Sequence, residues 1–380
     1  MERNKGLGQV ILQRESHLPW PDTRSAILQE HHPLNRYHPE VERGIAAHGV
    51  EKERQRLTVR GFNGRFSRVS RTAYLPAASE RPAQELRFGG RHNHMGFTYR
   101  HHMISRIRAR ALENPQVTFT GWAALRILGL PYWVNDMPVQ ILAAAGGRKP
   151  RTLYQPHIVV SRCGWKCAVR ADWRAEFHDL PAETQCATGG IAVSQALRDV
   201  LTQNAKWWLP DLRWIEGKLG LSSVEIRAVQ LLDAVRRFLP HDALDASDVF
   251  VAGQVNRKRV VKLVELSTPL ADSPIESLLR LLLRSVLPDL RPQVVLMDSS
   301  YPDLPVATAD LWSPSARIAV FYDGDHHDDP QQRHIDARVD RDLRSQGIHV
   351  LRFTKWDLRD PVSIVDSVAR AARLGNAAQG

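Results

Sequence analysis

Two short stretches near the C-terminus constrain this chain more than any others. Ala309-Asp310-Leu311-Trp312 and, after a brief Ser-Pro-containing turn, Ile318-Ala319-Val320-Phe321-Tyr322-Asp323-Gly324-Asp325-His326-His327 read as adjacent β-strands. The first carries a carboxylate. The second is apolar until it stops abruptly in Asp-Gly-Asp-His-His. Apolar strands of this kind are built for burial, so polar groups at their ends gather at one mouth of the sheet. Carboxylates and imidazoles collected there suit a divalent cation and an activated water. Metal-dependent hydrolysis of a phosphodiester is the sharp expectation. The plainer one is a strand-end turn, because Asp-Gly is among the commonest turn pairs.

The surrounding pattern supplies a fold. Ser273-Pro274-Ile275-Glu276 is a helix start, with a serine cap, a proline in the first turn and a glutamate three residues on, and the apolar helix it opens ends before Pro288. Strands are expected over 292–297, 306–312 and 317–322, a polar helix over 331–346, a strand over 347–354 and a last helix opened by Lys355-Trp-Asp-Leu-Arg359 and running through 362–374. The order is α-β-β-β-α-β-α. Glu276 either caps its helix or reaches the acids of the sheet. Asp310 stands inside an otherwise apolar strand, where an unpartnered acid is costly to bury.

The rest of the chain divides by composition. Residues 1–110 hold 20 Lys and Arg against 10 Asp and Glu, whereas residues 266–380 hold 13 against 16, so the net charge of +11 is concentrated at the N-terminus. A basic arm of this kind suits a polyanion such as nucleic acid, or is a solvated tail. Residues 1–35, broken by Pro19, Pro21 and Pro33, read as an irregular leader. Residues 36–84 read as a degenerate winged helix-turn-helix: a short helix over 41–49, then a hairpin over 57–76 turned by Asn63-Gly64 and punctuated by Arg60, Arg65, Arg68 and Arg71. An ordinary basic hairpin is the other reading. Residues 85–265 read as one mixed α/β domain and residues 266–380 as the unit just described. The whole is an α/β protein.

Trp207, Trp208 and Trp214 are expected in a core rather than as a base-stacking surface. Cys163 and Cys167, three residues apart, with Cys186, His157 and His178, make a poor zinc pattern. Three cysteines in 380 residues and no apolar run of membrane-spanning length point to a reducing cytoplasm and no membrane. Nothing in the sequence fixes an oligomeric state.

The element order, with Glu276 in the first helix and Asp310 in the second strand, resembles the PD-(D/E)xK nuclease fold. More closely, residues 273–359 resemble the very-short-patch-repair (Vsr)-type endonucleases, through Ser273-Pro-Ile-Glu276, Asp310-Leu-Trp312, Val320 to His327, and Gly347-Ile-His-Val-Leu-Arg-Phe-Thr354. Residues 57–200 are more distantly similar to antitoxin-like regions that precede such domains in actinobacterial proteins, through the Arg-rich hairpin, Thr120-Gly-Trp-Ala-Ala-Leu125 and Gly190-Ile-Ala-Val-Ser194. The resemblance implies Mg²⁺- or Mn²⁺-dependent hydrolysis of DNA. In that pattern Asp310 is the central metal ligand, the Tyr322 carbonyl a further ligand, and Asp323 a ligand or base. His326 or His327 is the general acid–base group, Glu276 an additional carboxylate, and Arg338, Arg341 and Arg352 hold phosphate. Many relatives carry a glutamate where this chain has Phe321. Two functions therefore stand side by side: a metal-dependent DNA endonuclease, and a DNA-binding regulator or antitoxin-like protein whose nuclease fold no longer catalyses.

Overall fold

A computed structural model describes residues 45–46, 58–83, 86, 93, 95–143, 152–160, 180–213, 216–239, 255–298, 305–323 and 330–377. Expectations for the leader, for Cys163, Cys167, His178 and Trp214, and for Asp325, His326 and His327 fall outside these residues. The chain forms two compact units. One comprises Met1–Trp207 with Phe238–Val260, the other Trp208–Arg237 with Val261–Gly380.

In the first unit, β1 (Ile45–Ala46) is a short strand where a helix over 41–49 was expected, and it pairs with β3 (Ala73–Pro76). The Asn63-Gly64 hairpin is likewise replaced. Those two residues lie inside helix α1 (Val59–Arg65), started by Thr58, whose hydroxyl accepts the Gly61 amide at 3.1 Å. The cap explains the difference: it fixes the chain as helix before Asn-Gly can turn. The hairpin forms one step later, between β2 (Phe66–Arg68) and β3, around Ser70–Thr72. Helix followed by an arginine-bearing hairpin survives, shifted along the chain.

A second sheet of this unit has strand order β6-β5-β4-β7, from β4 (Thr118–Thr120), β5 (Gln140–Ala143), β6 (His157–Val160) and β7 (Gln185–Cys186). Helices α2 (Met103–Glu113), α3 (Gly121–Ile127) and α4 (Gly189–Leu201) complete it. The start of α3 is capped from another element: Gln140 Oε1 accepts the Trp122 amide at 2.8 Å. Gly121 sits at φ +50°, and a Cβ there would lie 1.8 Å from that same oxygen, so only glycine fits. Trp207 is buried and stacks on Trp133 at 3.9 Å, as a core residue should, while Trp208 is exposed. Cys186 is buried, and its thiol donates to the Ala187 carbonyl at 3.5 Å.

The second unit recruits helix α6 (Ser223–Phe238) from the segment assigned by sequence to the middle of the chain; the short α5 (Glu216–Leu219) precedes it. A buried ion pair is one of the contacts that hold it there. Asp233, fully buried, bonds Arg280 of α8 (Pro274–Leu283) at 2.8 Å and takes the Thr268 amide at 2.7 Å. A carboxylate removed from water needs such partners, and they lie C-terminal to α7 (Arg257–Glu265).

Beyond α8 the expected order appears in full: β8 (Arg291–Met297), β9 (Pro305–Ser313), β10 (Ile318–Asp323), α9 (Pro330–Ser345), β11 (His349–Thr354) and α10 (Pro361–Ala377). The sheet runs β11-β10-β9-β8, with β10 parallel to β11 and the other pairs antiparallel. Leu343 of α9 packs on Ala319, Phe321 and Val350. Gly347, at φ +73°, ends α9, and the Ile348 amide reaches back to the Leu343 carbonyl at 3.1 Å, the closure a left-handed glycine permits. Because β10 and β11 run in parallel with Asp323 level with Thr354, both strands end at the same mouth.

Candidate functional site

The ladder between β8 and β9 pairs Pro292 with Leu311 and Val294 with Ala309, leaving Gln293 and Asp310 between them. Gln293 has φ +52°, a left-handed conformation that costs a non-glycine residue free energy and persists only where surroundings enforce it. Its amide explains what enforces it. Nε2 donates to Glu276 Oε2 at 2.8 Å and to Asp310 Oδ1 at 3.3 Å. One buried amide thus bridges two carboxylates, one from a helix and one from a strand.

Both acids have further donors. Asp310 Oδ2 accepts the Tyr322 amide at 2.6 Å, at the point where the β9–β10 pairs, which run from Ser313–Ile318 to Leu311–Val320, stop. Glu276 Oε2 accepts the Asp272 amide at 2.9 Å, and the Glu276 amide donates to Ser273 Oγ at 3.2 Å. Glu276 therefore does both things the sequence left open: it ties down the chain entering its helix and it faces Asp310.

Electrostatically this pair is uncomfortable. Burial, then the Asp310 and Asp272 charges, push Glu276 up to about 8, against the lowering effect of its two hydrogen bonds. Burial raises Asp310 to about 6, with Asp272 and Asp323 adding to it and the Tyr322 and Gln293 bonds opposing. Two buried acids facing each other share protons rather than both ionising.

Asp323 belongs to a different constellation. Its Oδ1 pairs with Arg352 Nη1 at 3.1 Å, and Arg352 also binds Asp340 at 3.0 Å and reaches Asp336 at 3.7 Å. The guanidinium lies 4.6 Å from the centre of the Phe321 ring. Burial pulls the Arg352 pKa down, but Asp323, Asp340 and Asp336 outweigh it and hold it above the ordinary value. Thus Arg352, expected to hold phosphate, is occupied by three carboxylates and an aromatic face. Arg338 pairs loosely with Asp342 across one helical turn at 3.7 Å and is largely exposed, as is Arg341. In the other unit Arg60, Arg65, Arg68 and Arg71 are all exposed; Arg68 also binds the Ser70 and Arg71 carbonyls at 3.0 and 2.6 Å and lies 4.5 Å from the centre of the Tyr154 ring.

The structure thus brings together Glu276, Asp310, the Tyr322 backbone and Gln293, with Asp323 close enough to raise Asp310 electrostatically. Gln293 was missed by the sequence reading. A single amide in the apolar strand Pro-Gln-Val-Val-Leu is its only signal, and its conformation has none. Among the described residues no group of three or more His, Cys, Asp or Glu is gathered as a metal site. The donor chemistry nevertheless fits a hard divalent cation: Glu276 and Asp310 offer carboxylate oxygens whose mutual repulsion such an ion would relieve. No helix among the described residues is long and apolar enough to cross a membrane. No protein-family model, curated protein or solved structure matches the chain.

Proposed function

We propose that this protein is a metal-dependent DNA endonuclease whose reacting centre is the Glu276–Asp310 pair at the mouth of the second unit's sheet, on a PD-(D/E)xK, Vsr-like scaffold. The observation that carries the reading is the bridge itself. Folding gains nothing from facing two buried acids across one strained glutamine; apolar residues of similar size would be more stable. Backbone strain and raised pKa values concentrate where chemistry needs them. Mg²⁺ or Mn²⁺, bound by Asp310 and Glu276, would supply Lewis acidity towards a phosphodiester oxygen. Asp310 is held in place by the Tyr322 amide and by Gln293, and Glu276 by Asp272 and the same glutamine, so the two carboxylates present fixed oxygens. Asp323 lies beside them, and His326 and His327 follow it in sequence as the groups to move a proton. Exposed Arg338 and Arg341 supply phosphate contacts.

One observation favours the rival, a DNA-binding regulator without catalysis. Arg352 clamps Asp323 and covers Phe321, which removes one carboxylate from ready use. Incubation of plasmid with the purified protein and Mg²⁺ or Mn²⁺, beside Asp310→Ala, separates the two. Nicking or linearisation that the variant loses by at least about 100-fold supports the enzyme. Salt-sensitive binding without cleavage supports the regulator. Neither cleavage nor binding refutes both.

A further inference from the structure

Trp356 is 59% exposed. It follows β11 by two residues, at the mouth where Thr354 stands level with Asp323. The turn that carries it is fixed. Asp357 Oδ2 accepts the Thr354 amide at 2.7 Å and its hydroxyl at 2.8 Å, while the Thr354 hydroxyl accepts the Trp356 amide at 3.2 Å. The Arg359 amide returns to the Trp356 carbonyl at 3.1 Å, and Leu358 is buried beneath. Two cations attend the ring: the Arg359 guanidinium at 4.3 Å from its centre and the Lys355 ammonium at 5.4 Å.

Each part has a physical consequence. A tryptophan on a preorganised turn loses little conformational entropy when something stacks on it. Cations beside the ring select an anionic partner over an apolar protein surface. Both cations lie over the ring, so a base that stacks on the indole takes over a face a cation now covers, and the displaced side chain is left beside it to meet the nucleotide's phosphate. Bases within a duplex already stack on one another and offer no free face.

We propose that Trp356, flanked by Lys355 and Arg359, is a stacking platform for an unpaired base at the same mouth of the sheet as the Glu276–Asp310 site, so that the preferred substrate is DNA with single-stranded or unstacked nucleotides. This rests on the nucleic-acid reading given under Proposed function, but its test reads binding alone. Fluorescence anisotropy in EDTA, with labelled oligo(dT) and a matched duplex, compares the full chain with Trp356→Ala and Trp356→Phe. Exposure of the side chain keeps both variants folded, which circular dichroism verifies.

Loss of a stacked base predicts that Trp356→Ala weakens oligo(dT) binding by roughly 5- to 150-fold. Duplex affinity and the slope of log K against log salt stay unchanged, since no phosphate contact is removed, and Trp356→Phe retains most of the affinity. Wild-type binding of oligo(dT) that Trp356→Ala leaves intact, or strand and duplex affinities that fall together, overturns the platform while leaving a DNA-acting protein standing. Binding of neither oligonucleotide by the wild type overturns both.

Discussion

Replacing Glu276 by glutamine is the sharpest test of the claim that two acids share one buried, strained bridge. Glutamine keeps the shape, and its carbonyl oxygen accepts the Asp272 and Gln293 donors that now serve Oε2. What disappears is the charge. In the unfolded chain Glu276 titrates near its ordinary value of 4.5, while in the native state it is held at about 8. Between these values the native state binds a proton that the unfolded state has lost, so stability falls as pH rises through that window. Each pH unit crossed costs about 1.4 kcal/mol per extra proton. From pH 6 to pH 8 the wild type should therefore lose roughly 2–3 kcal/mol relative to Glu276→Gln, with coupling to Asp310 drawing the loss toward the lower figure. Urea unfolding followed by fluorescence, in EDTA at pH 6, 7 and 8, measures this difference, with titrating groups other than the coupled Asp310 cancelling between the two proteins. The variant should also be the more stable of the two at pH 8. Parallel stability curves would show that the Glu276 proton is not held as the geometry implies, and the argument for an electrostatically loaded site would fail.

Gln293→Leu removes the amide that bridges the pair; it should destabilise the second unit by about 1–3 kcal/mol at pH 7 and move the Glu276 titration to still higher pH, read by the same urea series. Gly121→Ala places a methyl 1.8 Å from Gln140 Oε1 at φ +50° and should cost the first unit more than about 2 kcal/mol in thermal unfolding. Gly64→Ala, in a helix with nothing within 4 Å of the new methyl, should be neutral or slightly stabilising and serves as its control.

Much of the second unit was legible because its punctuation is local. Ser273-Pro274 starts α8 with a serine oxygen on the Glu276 amide, Gly347 ends α9 in the left-handed region, and strands of six to nine residues lie between them. The first unit misled where two local signals competed. Asn63-Gly64 is a turn pair, but Thr58, five residues earlier, caps a helix that runs through it, and a sequence pattern does not rank the two.

The site was half legible for a different reason. Asp310, Asp323 and Glu276 announce themselves as acids at element ends, yet what each faces depends on strand register. The parallel pairing that sets Phe321 level with Arg352 places a guanidinium over an aromatic ring and beside Asp323, and no spacing along the chain encodes that meeting. The same logic hides Gln293, which stands opposite Asp310 only because β8 and β9 pair as they do. Its left-handed φ then takes its meaning from the partners. Glutamine has no intrinsic preference for that region, so the two carboxylates, fixed on α8 and β9, impose it through the bonds they accept. The strain at Gln293 and the raised pKa of Glu276 are therefore two expressions of one arrangement. A cation between the acids would relieve the second and leave the first in place, which is why the backbone at 293 is a property of the fold and the proton at 276 is what a ligand would exchange.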